Sequence, residues 1–171
     1  MRDHMRPQRP CPKTWLLRPR ECDGRVLPWR RFQSEGFAVT RTSATQNKVL
    51  VLEAFDTLFN KRDYAAAERF WSDRYIQHSA HIPPGRDGLF SLVRSLPSTL
   101  RYENHLILAE GDYVIAHGRF TGHGRHAAWI AADVVRLEDG KLAEHWDVLQ
   151  DEATKAQSLS GLPMFGDHFP E

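Results

Sequence analysis

Residues Trp129–Gln150 read WIAADVVRLEDGKLAEHWDVLQ, two stretches of alternating character on either side of Glu138-Asp139-Gly140. Such alternation is the mark of strands with one buried face, and a short glycine-containing connection makes the pair a β-hairpin. A three-residue loop closed by a left-handed glycine bulge sets Leu137 opposite Lys141. Counting back pairs Val135 with Ala143, Asp133 with His145, Ala131 with Asp147 and Trp129 with Leu149, all on one face because side chains alternate with period two. The alternative, a two-residue Asp139-Gly140 turn, slips the register by one and turns Asp133 away from Asp147.

The favoured register gathers Asp133, His145 and Asp147, and that trio suits proton transfer. Abstracting a proton beside a carbonyl needs a base lifted toward neutrality, and a carboxylate in apolar surroundings next to another carboxylate is pushed that way. Asp147 is the candidate base. Asp133 orients His145 or shares a proton with Asp147, and a protonated His145 steadies a developing enolate. The plainer reading is a cross-strand Asp133–His145 pair that stabilises the hairpin by a few tenths of a kcal/mol.

Outward from the hairpin the same period-two pattern continues. Four strands are expected at 100–109, 113–121, 125–137 and 141–150, joined by Glu110-Gly111-Asp112, Gly122-His123-Gly124 and Glu138-Asp139-Gly140. Before them the period is helical. In KVLVLEAFDTLFN, beginning near Asn47, the residues Val49, Leu52, Phe55 and Phe59 form one apolar stripe. Asp63 caps a second short helix through Trp71, and Asp87 caps a third that carries Phe90, Val93 and Leu96 and stops at Pro97. Tyr75, Ile76 and Gln77 between them look extended. Helices first and an antiparallel meander afterwards define an α+β domain, three helices packed on a curved sheet.

Charge divides the chain. Residues 1–43 hold ten Lys or Arg, four acids and five of the ten prolines, a net of +6, whereas 44–171 carry a net of −5. The first segment is expected to be a disordered basic extension and the second the folded domain. Arg30-Arg31-Phe32 lacks the apolar run an export signal needs, and the scattered basic residues lack the aromatic interleaving of a nucleic-acid arm. Both cysteines, Cys11 and Cys22, fall in the extension, and no apolar run nears the roughly 20 residues of a membrane span. The expectation is a soluble cytoplasmic protein that binds neither nucleic acid nor membrane.

A second constellation is Tyr75, His78 and His81, expected to line a cavity or its mouth. With Asp133, His145 and Asp147 these residues also supply enough N and O donors for a divalent metal, a rival reading. His117 shares a face with Tyr113, Ile115 and Arg119 and is either a satisfied histidine or a ligand contact. Trp129 is expected to face the cavity. Trp146 faces outward with Ile130, Val134 and Val148, an apolar patch that calls for a partner and points to a homodimer through the back of the sheet.

The segments RYIQHSAHIPPGRDG (74–88), GDYVIAHGRF (111–120) and VVRLEDGKLAEHWDVLQ (134–150), with the terminal GLPMF (161–165), resemble the SnoaL-like polyketide cyclases of the nuclear transport factor 2-like (NTF2-like) superfamily. The resemblance spans about residues 46–165. It implies a cone-shaped barrel, a hydrophobic cavity for a small molecule, a dimer through the outer sheet face and no cofactor. In that family an Asp in the last strands serves as acid and base for an intramolecular aldol closure, and Asp147 in EHWDV matches it. Asp133 stands where the cyclases place a His. The superfamily also holds isomerases, dehydratases, epoxide hydrolases and binding modules, so two functions stay open: a cofactor-free acid–base enzyme on a small apolar carbonyl compound, or a non-catalytic ligand-binding or dimerisation module.

Overall fold

A computed structural model describes residues 42–170. The expected basic extension therefore lies outside the described residues except for Thr42 and Ser43. Ser43 caps helix α1 (Ala44–Phe55) in a reciprocal box, its Oγ accepting from the Gln46 N–H while the Gln46 side chain accepts from the Ser43 N–H. The face α1 buries carries Asn47, Val51, Ala54 and Phe55; Phe55 and Phe59 of the expected stripe are buried, but its first member Val49 is 61% exposed. In VLVL every position is apolar, so the period alone does not choose a face. Asn47 chooses it, by donating its amide to the Gly111 carbonyl in a distant turn at 3.0 Å.

The helix loosens into a π-helical turn, Asp56–Asn60. That turn delivers Asn60 to strand β2 (Arg101–Glu110), where its side chain accepts from the Tyr102 N–H at 2.7 Å and donates to the Tyr102 carbonyl at 3.1 Å. Asp63 caps α2 (Tyr64–Ala67) as expected, and the chain passes through a 3-10 turn into β1 (Trp71–Gln77). Helix α3 (Gly85–Ser95) starts two residues before the expected cap: Pro84 takes the N-cap position and Asp87 sits in the first turn. The Arg62 guanidinium closes its other end by donating to the carbonyls of Val93, Leu96 and Pro97.

Strands β3 (Tyr113–Thr121), β4 (Trp129–Glu138) and β5 (Lys141–Asp151) complete a five-stranded sheet in the order β1-β5-β4-β3-β2. The expected four-strand meander is present, and β1 adds a parallel edge beside β5. Strand β4 begins at Trp129 and not at residue 125, so the link from β3 is a loop over 122–128.

The β4–β5 hairpin corrects the sequence reading. Asp139 (φ 52°) and Gly140 (φ 71°) are both left-handed, a two-residue turn that pairs Glu138 with Lys141 and Leu137 with Leu142. One step later a bulge intervenes. Arg136 pairs with Glu144, Ala143 is the extra residue, and both Leu142 and Ala143 are buried. Turn and bulge together shift the expected register by two, so Asp133 faces Asp147 and not His145, and Trp129 faces Asp151. A shift of two preserves every facing, which is why the trio still shares the inner side.

Between helices and sheet the core is aromatic. Tyr102 meets Phe55 and Phe120 at ring-centroid distances of 5.1 and 4.8 Å, and Phe59 meets Phe120 edge-on at 5.1 Å. Gly118 on β3 is required there, because a Cβ would lie 2.3 Å from the Tyr102 ring. The residues after β5 return to the outer sheet face: Phe165 packs on His105 and His117, and the buried Glu152 accepts from Arg119 at 2.8 Å.

Candidate active site

The curved sheet and the helices enclose a cavity of about 180 Å³. Its walls are mostly apolar, with Phe55, Phe59, Trp71, Leu92, Trp129 and Leu149 among them, and Asp133, His145, Asp147, Tyr75, Ser79 and His81 supply the polar side chains. Trp129 is held in its wall by the His123 ring, 3.9 Å away, and by the Arg125 guanidinium over its face.

The trio meets here. One ligand atom each of Asp133, His145 and Asp147 lies within 4.8 Å of the others. His145 Nε2 is 3.0 Å from Asp133 Oδ1, and its Nδ1 is 2.9 Å from Gln77 Oε1 on the neighbouring parallel strand. Asp133 is buried, and its second oxygen, Oδ2, has no hydrogen-bond partner among the described residues. Burial lifts the Asp133 carboxyl above its ordinary range. The hydrogen bond and charge of His145 oppose that rise, and the charge of Asp147 adds to it. Three donors at this separation also suit a divalent cation with carboxylate and imidazole ligands.

Tyr75 is buried in the wall with its hydroxyl 3.3 Å from Gln77 Nε2, and burial pushes its phenol far above the usual value. His81 lines the cavity while staying exposed. His78 does not join the site. Gln77, the last residue of β1, points inward, so the residue that follows it points out, and His78 stacks on Trp146 (4.7 Å, 2°) and bonds Glu144 on the outer face. The metal set built on His78 is therefore not assembled. His117 also faces outward, because Ala116 is the residue opposite Asp133. Its ring packs on His105 and Phe165.

Gln77 and Ser79 are members of the polar cluster that the sequence reading missed. The available signal was position: Gln77 lies two residues from Tyr75 on one strand and so shares its face.

An α+β cone around an apolar cavity with titratable groups on its sheet wall is an NTF2-like architecture. The chain belongs to the SnoaL-like domain family, whose profile matches residues 51–145. Solved structures of the same fold include a provisionally named ketosteroid isomerase from Kribbella flavida, 17% identical, covering 75% of this chain and 98% of its own with a TM-score of 0.60. An NTF2-like protein from Cytophaga hutchinsonii is 19% identical over 64% of this chain and 93% of its own, at 0.54. A provisionally named polyketide cyclase from Bacillus cereus is 21% identical over 63% and 76%, at 0.54. None of the curated proteins matches the chain significantly.

Proposed function

We propose that the domain is a cofactor-free acid–base enzyme that removes and returns a proton beside the carbonyl of a small, largely apolar compound, the step shared by aldol closure, isomerisation and dehydration. The observation that carries this reading is the cross-strand pair Asp133 and Asp147 at an apolar cavity, with the buried Asp133 joined to His145. Asp147, the less buried carboxylate, takes the α-proton. The Asp133–His145 pair holds a proton close to the oxygen on which charge develops, and the proton on Asp147 then returns to carbon or to the new hydroxyl.

Cavity size narrows the substrate. Small-molecule sites commonly span ~300–1,000 Å³, and an apolar cavity of ~150 Å³ accepts benzene. At about 180 Å³ this cavity suits a single substituted ring.

The homodimer belongs to the same proposal. Leu108, Ile115, Val134 and Trp146 form one cross-strand row on the outer face, and Leu106 and Val148 extend it with 52% and 73% exposure. Ile130, expected in this patch, is buried. A second copy laid on this row would remove its apolar surface from water.

The test needs no product. Exchange of the α-hydrogens of cyclohexanone and its methyl derivatives in D₂O, followed by proton NMR with chelator present, is expected to run above the buffer rate. Asp147→Asn should slow it by a factor of ~10²–10⁴. Exchange at the buffer rate for all these ketones, or an unchanged rate in the variant, would refute the proposal.

A further inference from the structure

The Ser79 backbone N–H, which can only donate, sits 2.8 Å from the Gln77 side chain. The atom it meets must therefore be the amide oxygen, which fixes the Gln77 orientation without reference to any other side chain. Two consequences follow in opposite directions. His145 Nδ1, 2.9 Å from that same oxygen, must carry a hydrogen, which leaves its Nε2 lone pair toward Asp133 when the ring is neutral. The Gln77 NH₂ must then be the group directed at Tyr75, 3.3 Å away, so the Tyr75 oxygen accepts and its own hydrogen is released from this contact. Tyr75 lines the cavity.

We infer that Gln77 is a positioning residue that fixes the direction of hydrogen bonding through this cluster, holding His145 in its Nδ1–H form and making the Tyr75 hydroxyl the donor to a carbonyl-type oxygen of the ligand. The inference rests on the proposed reading only for the ligand being a carbonyl compound. The tautomer follows from the protein alone. Because burial disfavours the phenolate, Tyr75 keeps its hydrogen, as a donor to a developing negative oxygen must. Asp133 Oδ2 is buried without a hydrogen-bond partner among the described residues, and the cavity that Asp133 also lines is where a ligand's polar atom would meet it.

Two substitutions separate the roles. Gln77→Met removes both the acceptor for His145 and the donor to Tyr75. Gln77→Glu restores an acceptor for Ser79 and for His145, but supplies no donor to Tyr75 and instead captures its hydroxyl hydrogen. Nitrogen-15 NMR of the His145 ring in the full chain is expected to find Nδ1 protonated in the wild type and in Gln77→Glu, with the hydrogen moved to Nε2 in Gln77→Met. Cyclohexanone and toluene, an acceptor and a non-acceptor of similar size, then report on Tyr75 by titration. Both Gln77 variants and Tyr75→Phe should lose roughly three- to tenfold in cyclohexanone affinity relative to toluene, the worth of one hydrogen bond. A bare Nδ1 in the neutral wild-type ring, or an unchanged cyclohexanone-to-toluene ratio in all three variants, would overturn the inference. Neither readout involves turnover, so absent α-hydrogen exchange would sink the enzymatic proposal and leave this one standing.

Discussion

Replacing Asp133 with Asn asks whether burial or His145 controls the carboxyl. Burial is the larger influence and raises its pKa. A carboxyl raised in the folded state keeps its proton longer there than in the unfolded chain. Its contribution to stability is thus complete below the unfolded pKa of about 3.9 and is lost as pH climbs through the folded value. Within that window the wild type loses about 1.4 kcal/mol per pH unit through this group. The amide of Asp133→Asn is uncharged and can still donate to His145 Nε2, so it escapes the loss. Urea unfolding of both proteins from pH 4 to 8 should show the variant gaining on the wild type at up to that slope and then holding a constant lead. With a urea dependence of ~1–3 kcal/mol per molar, the midpoints should separate by ~0.5–1.4 M for each pH unit of the window. A lead that shrinks as pH rises would mean that the His145 ion pair depresses Asp133, and the raised carboxyl would be refuted. A difference independent of pH would do the same.

Arg119→Met leaves Glu152, whose side chain is 3% exposed, without its counter-charge and should cost about 3 kcal/mol in urea unfolding. Adding Glu152→Gln should recover most of it, and a double variant as weak as the single would refute the pairing argument. Val148→Glu should leave the unfolding midpoint almost unchanged, because that side chain is 73% exposed, yet convert a dimer to a monomer in light scattering at micromolar concentration. A variant that stays dimeric would remove the outer face from the interface.

Much of the fold was legible because period-two patterning survives errors of pairing. The faces of Asp133, His145 and Asp147 were read correctly although each pairing was off by two, since the Asp139-Gly140 turn and the Ala143 bulge each add one residue to the shift. The bulge itself was hidden: nothing local marks Ala143, and burial of both Leu142 and Ala143 shows only in three dimensions. The stripe of α1 was misread at Val49 because the face depends on a hydrogen bond to Gly111, far along the chain. His78 was expected at the cavity or its mouth, and His117 as either a satisfied histidine or a ligand contact; their chain neighbours Gln77 and Ala116 occupy the inner side, which turns both histidines outward. Gln77 escaped notice for the converse reason, because an amide carries no charge and announces itself only through its bonds to Ser79 and His145.

The Ala143 bulge also sets how this hairpin can change length. A single residue inserted between the bulge and His145 would swing both His145 and Asp147 to the outer surface while leaving the helices untouched, giving a folded but silent domain. Two residues inserted there, or one inserted with Ala143 deleted, would return both groups to the inner surface. Insertions and deletions that keep the chemistry are therefore confined to even steps along β5, and a sequence with an odd step there should be expected to have kept the barrel and given up the reaction.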